Sequence, residues 1–240
     1  MNISIIIPAF NESEKIGRDV KSAEEFIIKN NFHGEILVID DGSNDDTAGA
    51  AKAVEISPQI PLRVIRYELH RGKGYAVRTG MKSAQGDYIV FADSGLCVPY
   101  NYVLTGLKIL ESEDFDIAHG SRKLKESKII RRQPLVRRII PKVFRWIFIH
   151  WLNVPSELTD TQCGFKVYKG DVARKLYEQC VTDGFLLDIE TILRAQKQGY
   201  RIKEFPVEWT ADPDSRLSVI KNSFGVLREL IKIKRSLSKL

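Results

Sequence analysis

The chain has 240 residues, 43% of them hydrophobic and 28% charged; this is the balance of a globular protein long enough to bury a sizeable core, and it excludes a disordered or fibrous chain. Three cysteines, Cys97, Cys163 and Cys180, are an odd number without close paired spacing, which argues against a disulfide framework or a thiolate zinc site and for a reducing compartment. The formal net charge of +6 is concentrated, with ten Lys or Arg against one acid between Ser121 and Arg145 and seven against one between Arg216 and Leu240; basicity this local asks for a phosphate-rich membrane surface, nucleic acid or an anionic substrate.

In chain order, Ile3–Ile7 reads as a buried strand, because no basic segment precedes it and no small-residue cleavage site follows. A helix over Glu14–Lys29, a strand over Ile36–Ile39, a helix over Asp45–Val54 and a strand over Leu62–Ile65 come next. A helix over Gly74–Ala84 and a strand over Tyr88–Phe91 complete the first half. This alternation predicts right-handed βαβ units, an α/β fold and a mainly parallel sheet flanked by helices. Binding chemistry then belongs beyond the C-terminal strand ends. There the chain carries Pro8-Ala9-Phe10-Asn11-Glu12, Asp40-Asp41-Gly42-Ser43 and Ala92-Asp93-Ser94-Gly95.

The second half is less regular. It reads as a strand over Asp116–His119, a basic loop and helix over Lys123–Leu152, a helix over Leu186–Lys197, a strand over Arg201–Val207 and a C-terminal amphipathic helix. The most apolar stretch, Val143–Val154, is broken by Arg145 and His150 and is shorter than the roughly 20 residues of a spanning helix. The expected organisation is one domain over residues 1–215 and a peripheral basic arm over 216–240.

The residues support two readings at each motif. Asp40 and Asp41 suit a helix cap, yet two adjacent acids after a buried strand also suit hydrogen bonds to a base N–H or ribose hydroxyls. Asp93 is placed to hold a divalent cation that bridges diphosphate oxygens. Arg71-Gly72-Lys73-Gly74 is either a simple turn or a phosphate cradle completed by Lys73. Arg122, Arg131, Arg132, Arg137 and Arg138 are a solvated face or a set of bidentate phosphate forks. Arg138–Leu152 and the C-terminal segment each set bases opposite an apolar face, the latter with Lys221, Arg228, Lys232, Arg235 and Lys239 opposite Ile220, Phe224, Leu227 and Ile231. Such helices lie in a membrane interface or pack on the domain.

Together with Gly120-Ser121-Arg122, Asp160-Thr161-Gln162-Cys163-Gly164-Phe165-Lys166, Trp209-Thr210 and Ser215-Arg216-Leu217, these motifs resemble family 2 inverting glycosyltransferases of the GT-A (Rossmann-like) fold. The likeness runs through nearly the whole chain and favours the dolichyl- or polyprenyl-phosphate glucosyltransferase branch, with dolichyl-phosphate mannose synthase also similar. The resemblance implies that Pro8, Phe10, Glu12, Ile39 and Asp41 bind the nucleotide base and ribose, with Asp93 and Ser94 at the metal and diphosphate. It implies Gln162 and Lys166 at the sugar, and Arg122 with Arg131 or Arg132 at the acceptor phosphate or the donor diphosphate. Asp93, Arg122 and Arg131 are then the catalytic set, in alignment and electrostatic stabilisation without a strong general base. The family pattern has two Asp separated by one residue, usually followed two positions later by Gln or another polar ligand. Gly95 and Cys97 stand at those places here, so a weakened Mg²⁺ or Mn²⁺ dependence on Asp93 is expected. The implied partners are UDP-glucose or a related nucleotide sugar, a polyprenyl phosphate and the cytosolic face of a membrane. The alternatives are a soluble acceptor and a non-catalytic nucleotide-sugar binder. Nucleic acid is disfavoured, since the basic stretches lack a stacking surface.

Overall fold

The computed structural model describes residues 1–112, 114–131, 152, 154–212 and 223–238. The first half follows the expected alternation: β1 (Asn2–Ala9), α1 (Ile16–Lys29), β2 (His33–Asp40), α2 (Thr47–Lys52), β3 (Leu62–Arg66), α3 (Lys73–Ser83) and β4 (Tyr88–Ala92). The second half contains α4 (Tyr102–Ser112), β5 (Ile117–Ser121), β6 (Lys128–Arg131), β7 (Phe165–Lys169), α5 (Gly170–Gln179), α6 (Leu187–Lys197), β8 (Ile202–Pro206), β9 (Glu208–Thr210) and α7 (Ser223–Leu237). Helices α4 and α5 and strand β7 were not anticipated from sequence.

Seven strands form one sheet in the order β3-β2-β1-β4-β7-β5-β8. All neighbours are parallel except β7, which runs antiparallel to both β4 and β5. β7 escapes sequence reading because Lys166 sits in its interior yet is only 1% exposed; a lysine there is tolerated because it forms an ion pair with Asp188. The predicted strand over 201–207 is realised as β8, and β9 follows it to pair with β6 in a separate two-stranded ribbon. The segment expected as a basic loop and helix over Lys123–Leu152 contains the short strand β6, and residues 132–151 and 153 lie outside the described residues.

Apolar residues cover both faces of the sheet. Ile5, Ile7, Ile36, Val38 and Val90 pack with Val20, Ala23 and Ile27 of α1 on one face. Ile6, Leu37, Ile39, Ile89 and Phe91 pack with Ala76 and Val77 of α3 and Leu176 of α5 on the other. Each fully buried aliphatic contributes about 1.5–3 kcal/mol, so strands apolar on both faces are held at the centre of the molecule. A third cluster joins Ile189, Ile192 and Leu193 of α6 to Leu230, Ile233 and Leu237 of α7. The C-terminal helix is thus packed on the domain, which corrects the expected peripheral arm within the described residues. Its buried face is 230/233/237, whereas Ile231, expected on the apolar side, is exposed. The proposed boundary at 216, together with Ser215, Arg216, Leu217, Ile220 and Lys221, lies outside the described residues.

Candidate active site

The C-terminal ends of β1, β2 and β4 lie side by side, with Pro8 opposite Ile39 and Ala9 opposite Asp40. Phe10 emerges from β1 and stacks on His70, ring centroids 4.0 Å apart at 28°. His70 Nδ1 lies 2.9 Å from Asp41 Oδ2, so an aromatic surface and a buried carboxylate adjoin. Asp41 also accepts the Arg71 N–H at 2.8 Å and the Gly72 N–H at 2.9 Å. This revises the reading of Arg71-Gly72-Lys73-Gly74 as a phosphate cradle: two of its N–H groups serve Asp41, and the Tyr75 N–H goes to the Gly72 and Asp183 carbonyls. The glycines answer to packing. A Cβ on Gly72, whose φ is +110°, would fall 2.5 Å from the Asp183 oxygen, and one on Gly74 2.5 Å from the Gly184 oxygen.

At the end of β4 the Lys73 ammonium grips both oxygens of Asp93, at 2.7 and 2.9 Å. Burial would lower the Lys73 pKa, but the Asp93 and Asp188 carboxylates outweigh it and hold it above the ordinary value. Lys166 pairs with Asp188 and shares the Phe91 ring with Lys73, at 5.9 and 5.3 Å from its centroid. Gly164 lies against Asp93: a Cβ there would be 1.8 Å from Oδ2, and the Asp93 N–H donates to the Gly164 carbonyl at 2.8 Å. The glycine of the Thr161–Lys166 motif thus admits the carboxylate.

Arg122, just past β5, makes a fork to Asp160, Nε to Oδ2 at 2.6 Å and Nη2 to Oδ1 at 2.8 Å. Burial of Asp160 would raise its carboxyl, but Arg122 overrides this and holds it down at about 2. The guanidinium also lies 5.2 Å above the Trp209 ring. Three further N–H donors remain on that group, so a second anion can be met without breaking the pair.

The other expected residues divide. Ile39 is fully buried against α3 and presents only backbone. The Glu12 N–H donates to Thr47 Oγ1 and its carboxylate lies 3.6 Å from the Lys15 ammonium. Ser94 and Gln162 are half-buried beside Asp93 and Cys163 in sequence, and Lys166, at 1% exposure, offers its charge from beneath the floor. Arg131 ends β6 with an exposed side chain; Arg132, Arg137 and Arg138 lie outside the described residues. His70, Asp160 and Asp188 were given no role from sequence. A lone His before the Gly-rich turn and an acid opening an apolar helix were the available signals.

Burial, with the Asp93 and Asp212 charges, pushes the Cys97 thiol up to about 12, which keeps it a neutral thiol at ordinary pH. Among the described residues no group of three or more His, Cys, Asp or Glu is arranged to hold a metal ion. Mg²⁺ and Mn²⁺ accept one or two carboxylates with phosphate oxygens and water, and Asp93 suits that role.

The model of glycosyl transferase family 2 matches residues 4–177. The chain belongs to that family. The family 2 glycosyltransferase is 30% identical over 242 residues to a dolichyl-phosphate beta-glucosyltransferase of Dictyostelium discoideum, covering 97% of this chain and 73% of the relative. It is 31% identical to one of Drosophila melanogaster, covering 97% and 74%. Among solved structures, a Mycobacterium tuberculosis glucosyl-3-phosphoglycerate synthase with Mn²⁺, UDP-glucose and glycerol 3-phosphate superposes with a TM-score of 0.72 at 20% identity, covering 97% and 79%. A mannosyl-3-phosphoglycerate synthase from Rubrobacter xylanophilus gives 0.70 at 17% identity, covering 100% and 76%. These establish the GT-A fold, and family membership makes the chain a nucleotide-sugar-dependent glycosyltransferase.

Proposed function

We propose that the enzyme transfers glucose from UDP-glucose to a polyprenyl phosphate, with inversion, as a peripheral protein on the cytosolic face of a membrane. The observation that carries this reading is the meeting, at one sheet edge, of the Phe10–His70–Asp41 slot, the Asp93–Lys73 pair and the Arg122–Asp160 fork. The relatives, dolichyl-phosphate beta-glucosyltransferases, supply the sugar and the acceptor class.

In this reading the slot takes the base: a flat ring stacks on the aromatic pair and its N–H meets Asp41. The diphosphate extends toward Lys73 and Asp93, and the sugar toward Gln162 and Ser94 above the Lys166–Asp188 floor. Bound at Asp93, Mg²⁺ or Mn²⁺ supplies charge neutralisation at the departing diphosphate. Arg122, with Arg131 and Arg132 from the adjoining basic segment, holds the acceptor phosphate. One of its oxygens attacks the anomeric carbon from the side opposite the diphosphate; the new C–O bond forms as the bond to the diphosphate oxygen breaks, and UDP leaves. Phosphate is already ionised at neutral pH, so no proton has to be removed, and the protein contributes alignment and charge stabilisation.

Incubation with labelled UDP-glucose and a short polyprenyl phosphate is expected to give a β-linked lipid product and UDP. Absence of both transfer and UDP binding would remove the proposal. A soluble phosphorylated acceptor is the second reading, favoured because α7 spends one apolar face on the core. Flotation with anionic vesicles separates the two: co-flotation supports the lipid acceptor, and recovery only in the bottom fraction supports the soluble one.

A further inference from the structure

The loop after β4 is built around a missing side chain. Gly95 has φ +90° and Leu96 φ +48°, two successive residues in the left-handed region that favours glycine and strains leucine. The Gly95 N–H is clamped by Asp19 Oδ2 at 2.6 Å. What stands beside Gly95 is another residue's carboxylate: a Cβ at position 95 would lie 3.0 Å from Asp212 Oδ2 and 3.4 Å from Asp212 Cγ. A carboxylate grown from position 95 would have to compete for the space that the Asp212 carboxylate fills.

Asp212 follows β9, and the Thr210 N–H donates to the Cys97 carbonyl at 2.9 Å, tying the end of that strand to the β4 loop. Its side chain is 10% exposed. The Asp93 and Asp212 charges both bear on the Cys97 thiol, so the two acids share one neighbourhood. Each is held by a lysine, Asp93 by Lys73 and Asp212 by Lys15 at 2.9 and 3.1 Å. Two hard oxygen donors, each neutralised by an ammonium, form a set suited to Mg²⁺ or Mn²⁺ with a diphosphate present.

We propose that Asp212 supplies the second carboxylate of a divalent-cation site shared with Asp93, in place of the aspartate that the family pattern carries at the position of Gly95. The carboxylate would then come from the residues after β9, beside position 95, and not from the β4 loop. Lys15 is then a competitor for Asp212, released when the cation and diphosphate arrive.

The inference rests on the glycosyltransferase reading, and Mn²⁺ binding to the full chain with saturating UDP, read from the electron paramagnetic resonance of free Mn²⁺, tests it. Asp212→Asn is expected to weaken Mn²⁺ binding by about ten-fold or more. Lys15→Met, which removes the competing cation, is expected to tighten it several-fold. A purely structural Lys15–Asp212 pair would leave Mn²⁺ affinity unmoved in both variants, and that result overturns the proposal, as does failure of the wild type to take up Mn²⁺. If Asp212→Asn does not fold, Lys15→Met decides the matter alone, wild-type affinity being the negative result. UDP binding of the wild type titrated with Mn²⁺ present keeps the two ideas apart: UDP bound with Mn²⁺ affinity indifferent to residue 212 sinks only the relocated carboxylate, whereas no UDP binding at all sinks the underlying function.

Discussion

Two buried titratable side chains near the site act on stability with opposite sign. Burial raises the Asp19 carboxyl to about 6, against a smaller lowering from the Gly95 N–H. A raised folded pKa means that its contribution is fully present below about pH 4 and is lost as pH climbs to 6, a penalty on the order of 3 kcal/mol at neutrality. His119 is 1% exposed with neither ring nitrogen hydrogen-bonded, and burial, then the Lys166 charge, pushes its pKa well below the ordinary value. Its stability is present above about pH 6.5 and falls as the pH drops, because only the unfolded chain takes up the proton. Asp19→Asn should therefore raise the melting temperature at pH 7.5 and change little at pH 4, while His119→Leu should gain more at pH 5 than at pH 8. Scanning calorimetry across pH reads both, and parallel pH curves for variant and wild type would contradict these assignments. Arg122 makes the corresponding point about geometry. Arg122→Lys keeps the charge but cannot make the two-point contact with Asp160. It should lower kcat/KM for the acceptor on the order of a hundred-fold with UDP affinity unchanged, and an equal loss in UDP affinity would place Arg122 on the donor instead.

At the scale of elements, the site depends on how closely β7 and α3 approach their neighbours. Gly164 precedes β7 and touches the Asp93 carboxylate, so Gly164→Ala forces that carboxylate or the strand to move. Overpacking of this kind costs about 1–3 kcal/mol, and the displaced Asp93 should also weaken UDP binding in the presence of Mn²⁺ by about ten-fold or more. Calorimetric titration beside a thermal melt checks both, and UDP bound as tightly as by wild type would show that Asp93 has slack. Much of this arrangement was legible in the residues. The runs Ile3–Ile7, Ile36–Ile39 and Tyr88–Phe91 announced parallel strands because both their faces are buried, and the acids after them announced an edge where ligands bind. β7 was not legible, since a strand holding Lys166 is explained only by Asp188, 22 residues later. The role of Asp212 was equally hidden, because what matters is its distance in space from Gly95, and no spacing along the chain encodes that.

Taken whole, the molecule is stitched to its C-terminal helix more firmly than a basic amphipathic pattern suggests. Leu230, Ile233 and Leu237 are buried against α6. The Arg194 guanidinium, fixed by Glu190 at 2.7 Å, reaches Ser236 Oγ at 2.5 Å. Glu229 accepts the Gly184 N–H at 2.8 Å. Gly184 is the residue against which Gly74 packs, and Asp183 the one against which Gly72 packs. A line of contacts thus runs from α7 through residues 183–184 to the turn that holds Asp41 and Lys73. Three buried aliphatics contribute together roughly 5–9 kcal/mol, a large share of the 5–15 kcal/mol by which a domain of this kind is stable. Deletion of residues 223–240 should therefore cost most of the folding stability and give a protein that aggregates or melts many degrees lower. Ile233→Ala should cost about 2–5 kcal/mol with the fold retained. Denaturant unfolding of the point variant should also show weaker protection by UDP if α7 braces the turn, since a ligand stabilises in proportion to its affinity for the folded state. A truncated chain that unfolds at the wild-type midpoint would make α7 a detachable arm after all, and an Ile233→Ala variant protected by UDP as well as the wild type would cut the line between that helix and the nucleotide edge.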